Sequence, residues 1–125
     1  TIIGRLKKNN IRVSLFVDSS IDQIKLAKEL GSDIIEIHAG EFCRKVHDRL
    51  DFQKELSTIK EAASFAESIG LETHVGHGVT FDSIVELSKI NEVREFNIGH
   101  FIISESLFLG LETTIKKMKT LIAEG

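Results

Sequence analysis

Two short stretches combine residue types that suit acid–base chemistry on an anion: Gly76-His77-Gly78 and Gly99-His100. Glycine lets a backbone approach a ligand closely and aim its N–H groups at it. Imidazole exchanges protons near neutral pH. Together they fit a phosphorylated small molecule, with the Gly76-His77-Gly78 and Gly99-His100 turns as phosphate-binding candidates and His77 suited to proton transfer. Tight strand-to-helix turns would also account for the glycines, and a surface turn for one such histidine. That plainer account weakens when a second Gly-His follows at a neighbouring strand end.

Glu36 is the third candidate. It sits within Ile34-Ile35-Glu36-Ile37, where a carboxylate must be paired, hydrogen-bonded or protonated, because an unpaired buried charge is costly. Strand alternation puts Glu36 and His38 on one face, opposite Ile35 and Ile37. Glu36 therefore suits stabilisation of a cationic intermediate or proton transfer, with a structural pairing to Lys or Arg as the alternative. Convergence of His38, His74, His77 and His100 on a metal is a competing possibility. However, neither HExxH nor a CxxC pair occurs, so no metal site is assigned. Cys43 reads as a passive thiol.

These residues fall at the ends of four apolar strands. The strands are Arg12–Val17, Asp33–His38, Leu71–Val75 and Arg94–Ile98, alternating with helices. Thr1–Asn9 reads as a helix tail. Ser20 with Gln23 predicts a capping box for a helix carrying Ile21, Ile24 and Ala27 inward and ending at Gly31. Phe52, Leu56, Ile59, Ala63 and Ala66 share the face of a helix from about Asp51 to Ile69. Thr80 or Asp82 can cap the next helix, which reaches Ile90. Phe101–Phe108 has room for a short extra helix, and Leu111, Ile115, Met118 and Ile122 mark a last inward face. The connection Gly40–Leu50 is long for its type. Its Arg44, Lys45 and Arg49 could close over an anion; equally, it could form an extra helical turn or a subunit contact.

Alternating strands and helices imply parallel pairing with right-handed crossovers. All four strand ends then share one rim, where α/β proteins bind ligands. Asp18, Glu36, His38, His74, Gly76, His77, Gly78, Gly99 and His100 lie there. A closed (β/α)₈ barrel needs eight such units and about 250 residues. The predicted fold is therefore α/β, the last four βα units of a TIM barrel, with residues 1–125 as the C-terminal half of one domain. The chain opens on Thr1 rather than methionine, in keeping with that expectation.

The bulk composition agrees. With 42% hydrophobic and 28% charged residues, the chain suits one globular unit. A net charge of −3 argues against a nucleic-acid partner. No apolar run approaches the roughly 18 residues of a membrane span, so no membrane partner is expected. One cysteine and the lack of an export signal make the cytoplasm the expected location.

The motifs Arg12-Val-Ser-Leu-Phe-Val-Asp18, Ile35-Glu-Ile-His-Ala-Gly40, Gly76-His-Gly78 and Phe96-Asn-Ile-Gly-His100 resemble, in order, the strand ends of the pyridoxine 5′-phosphate synthase family. The likeness continues into Gly110-Leu-Glu112 and Met118-Lys119. It implies a TIM-barrel enzyme that condenses 1-deoxy-D-xylulose 5-phosphate with 3-amino-2-oxopropyl phosphate. The products are pyridoxine 5′-phosphate, phosphate and water, formed with no metal or organic cofactor. It further implies that His77 is the proton donor and that Glu36 stabilises the transition state. Gly78, Gly99 and His100 would bind the amino-ketone phosphate, and the protein would be a homo-oligomer. The chain departs from the family at His74-Val75, where Asn-Ala is usual, at Ala39 in place of Thr, and at Asn91 in place of a proline. The family's remaining acid–base residues lie on earlier strands, so this chain by itself is expected to be inactive. Two other readings stay open: a different phosphate-binding barrel enzyme, or a non-catalytic half-barrel that dimerises.

Overall fold

The computed structural model describes residues 1–125. Its elements run α1 (Ile2–Lys8), β1 (Ser14–Val17), α2 (Ile21–Glu29), β2 (Ile34–His38), α3 (Gly40–His47), α4 (Gln53–Ser68), β3 (Glu72–Gly76), α5 (Phe81–Leu87), β4 (Val93–Asn97), α6 (His100–Leu109) and α7 (Leu111–Glu124). The four strands form one parallel sheet in the order β1-β2-β3-β4. Crossovers of constant hand between strands in sequential order put the helices on one side. A doubly wound sheet would reverse its order and cover both sides. The arrangement is that of part of a (β/α)₈ barrel. No helix is long and apolar enough to cross a membrane.

The two faces of the sheet differ as the period-two pattern dictates. Ile35, Ile37, Thr73 and Val75 point toward the helices and are buried. There they join Ile24 and Ala27 of α2, Leu56, Ile59, Ala62, Ala63 and Ala66 of α4, and Ile84 and Leu87 of α5. Fully burying each isoleucine contributes about 1.5–3 kcal/mol. The alanines on α4 let that helix approach the strands closely. The opposite face, which would be the interior of a barrel, carries the polar residues. Register places Phe16, Glu36, His74 and Glu95 in one row across the strands, and His38, Gly76 and Asn97 in the next. Strands β1 and β4 each have one unpaired edge, and Phe16 is 56% exposed.

Several local expectations need correction. Ser20 occupies the N-cap of α2, but its side chain makes no capping bond. Gln23 turns instead to Asp18, accepting from its N–H at 2.9 Å and donating to its carboxylate at 3.2 Å. Ile21, Leu111 and Ile115 are exposed rather than inward, while Thr114 and Met118 form the buried face of α7. The segment after β2 is an eight-residue helix, α3, which buries Phe42 and Cys43. Its cations are already engaged: Arg44 pairs with Glu41 and Asp48, and Lys45 with Glu55. Thr80 caps α5 as expected, its side chain accepting from the Ser83 N–H while its own N–H donates to Ser83 Oγ, which completes a capping box. The apolar stretch after Gly99 is indeed an extra helix, α6.

Candidate active site

At the strand ends the sheet's polar face opens into a cavity of about 460 Å³. It is lined by Phe16, Glu36, His77, Gly78, Val79, Thr80, Asn97, Ile98, Gly99, His100 and Phe101. All five residues singled out from the sequence therefore border one space. They come from three strand ends, brought together by parallel pairing alone.

Glu36 is positioned by Asn97, which the sequence did not single out, and by Gly76, which it placed at the rim for a different reason. Its Oε2 accepts a hydrogen bond from Asn97 Nδ2 at 2.8 Å, across two strand spacings. The carboxylate can make that crossing because Gly76 lies between them in the register. A Cβ on Gly76 would overlap Glu36 Oε1. Glycine is thus required here by close approach rather than by a turn. The signal for Asn97 was its strand parity: it shares the face of Glu95, at the cavity end of β4.

His77 follows β3 directly and adopts a φ of 71°, in the left-handed region that non-glycine residues enter only at a cost of about 1–3 kcal/mol. Such strain, held beside a cavity, presents the imidazole to the cavity rather than to the helix layer. The ring faces His38 with centroids 4.5 Å apart. His100 occupies the first position of α6, with Gly99 as its N-cap. The first bond of that helix runs from the Ile103 N–H to the Gly99 carbonyl at 3.1 Å. The N–H groups of His100, Phe101 and Ile102 therefore have no partner within the helix. No side chain caps them, and the first turn carries no acidic residue. Unpartnered donors and the positive end of a helix dipole favour an anion at this point.

Of the four rim histidines, His77 and His100 border the cavity and His38 meets His77, whereas His74 stands apart. His74 lies lower on the sheet, buried between Glu72 (2.8 Å from Nε2) and Glu95 (3.6 Å from Nδ1). Val75 and Ala39 are buried on the helix side, and none of these three departures from the family pattern borders the cavity. Glu72 also accepts from Arg12 at 2.7 Å, and the hydrogen bonds from Arg12 and His74 hold its carboxyl below the usual range. Cys43 is buried beneath Gly78, and desolvation pushes its thiol up, away from the reactive thiolate.

The family model "Pyridoxal phosphate biosynthesis protein PdxJ" matches residues 1–124. Among curated proteins, "Pyridoxine 5′-phosphate synthase" of Zymomonas mobilis is 40% identical over 97% of this chain and 46% of its own length. The protein of the same name from a Sulfurihydrogenibium species is 44% identical over 96% of the chain and 49% of its own length. That of Pelagibacter ubique is 41% identical over 95% and 50%. The chain spans about half the length of the curated relatives it matches.

Proposed function

The chain belongs to the family of the pyridoxal phosphate biosynthesis protein PdxJ, and from that premise we propose that it forms the C-terminal half of the barrel of a pyridoxine 5′-phosphate synthase. Such an enzyme condenses 1-deoxy-D-xylulose 5-phosphate with 3-amino-2-oxopropyl phosphate and releases phosphate and water. The observation that carries this reading is the single cavity in which a proton carrier, a held carboxylate and an uncapped helix N-terminus meet.

In this reading the phosphate of the amino-ketone sits on Gly78 and the Gly99-His100 turn, where backbone N–H groups receive it. Fixing one substrate there lowers the entropic cost of bringing two molecules together. Joining an amine to a ketone expels water and passes through iminium-like positive charge. Glu36, kept in place by Asn97, faces that charge. His77 delivers protons to the departing oxygen at the cavity mouth. The remaining acid–base groups come from the opposite wall of the barrel. The enzyme acts in the cytoplasm as a homo-oligomer.

A structure of the intact protein with 3-amino-2-oxopropyl phosphate, or with pyridoxine 5′-phosphate, tests the assignment. The phosphorus is expected within hydrogen-bond reach of the Gly78 and His100 backbone. Phosphate bound at a different strand end would refute it.

A further inference from the structure

His77 carries the proposed proton transfer, yet no hydrogen bond within the chain fixes its ring. It stands between two glycines on a left-handed backbone, so little local packing restrains it. The ring meets two others: His38, at 4.5 Å between centroids and 34° between planes, and more distantly Phe16, at 6.2 Å and 52°. His38 in turn lies edge-on to Phe16, at 5.3 Å and 81°. Both imidazoles cover Gly40: a Cβ there would come within 2.8 Å of His38 Cε1 and 3.0 Å of His77 Cδ2. The stack therefore needs a residue without a side chain beneath it.

His38 does not line the cavity, whereas His77 does. It is the last residue of β2, two positions beyond Glu36 and on the same face, so its Cα is fixed by the sheet. We propose that His38 is a positioning residue: packed against both Phe16 and His77 in a cluster of three rings, it holds the plane of the His77 ring toward the reacting atoms. A ring on a rigid strand thereby orders a ring on a strained loop. The kinetic consequence rests on the proposed synthase reading; the geometric one does not.

The test uses the intact protein with His38→Ala and His38→Phe. Misplacement of a reacting group by about 1 Å costs roughly 10²-fold. In His38→Ala, kcat should fall by about that factor, with KM for both substrates little changed. In His38→Phe, which keeps a flat ring at the stack, most of the kcat should return. In parallel, NMR of labelled histidines follows the His77 ring protons. Their ring-current shifts should persist in His38→Phe and fall in His38→Ala to the smaller part that Phe16 supplies. An unaffected kcat in His38→Ala, a phenylalanine variant as slow as the alanine one, or His77 resonances indifferent to His38 would each overturn the proposal. Should the parent protein lack synthase turnover, the functional reading falls alone, and the NMR arm still decides the positioning.

Discussion

Gly76 and Glu36 illustrate how a side-chain role depends on a neighbour without one. The Glu36 carboxylate reaches Asn97 by crossing the Cα of Gly76, in the space a methyl group would fill. Gly76→Ala should leave the fold in place, because the residue stays extended on β3. It should displace Glu36 and lower kcat by about 10- to 100-fold. Steady-state kinetics with a crystal structure of the variant checks both parts; parent-like turnover with Glu36 shifted would show that its position is immaterial. His77, Glu36, Gly78, Gly99 and His100 were legible because each carries a local sign: a polar side chain on an apolar strand, or a glycine beside a histidine. Asn97 was not, since its partner lies 61 residues away and only the register pairs them.

At the scale of elements, periodicity exposed every strand and most helices, because the apolar spacing on α4 and the alternation on β2 are enforced by burial on one side. It failed where that pressure is weak or the partner is absent. Helix α3 has only a short apolar face of Phe42, Cys43 and Val46, and the sequence left this segment open between a closing loop, an extra helical turn and a subunit contact. Leu111 and Ile115 lie on a helical face that nothing in this chain covers. Below the cavity, Arg12, Glu72, His74 and Glu95 tie the start of β1 to β3 and β4. Arg12 and His74 hold the Glu72 carboxyl below its ordinary value near 4.5. A lowered folded-state value means stability that is present above that range and lost as pH falls through it. Arg12→Gln should therefore lower the urea midpoint at pH 7, with the gap to the parent closing below about pH 4 as Glu72 is protonated. A gap that is constant with pH would show that the pair adds nothing through charge.

On the whole-molecule scale, the sheet has two unpaired edges, and its polar face carries Phe16 and the cavity in the open. Four further βα units would pair both edges and enclose that face. The match to about half of each curated relative agrees with that count. The sequence pointed to a half-barrel through the number of strand–helix units. The opposite wall of the proposed barrel would lie on no strand of this chain. In the proposed synthase, this chain brings the proton donor, His77, to a two-substrate condensation. The most direct measurement is the formation of pyridoxine 5′-phosphate from 1-deoxy-D-xylulose 5-phosphate and 3-amino-2-oxopropyl phosphate by the intact protein and by its His77→Ala variant. Turnover by the parent is expected, with a fall in kcat of about 10²- to 10⁴-fold in the variant and folding intact. Equal turnover by the two proteins, or none by the parent, would contradict this expectation.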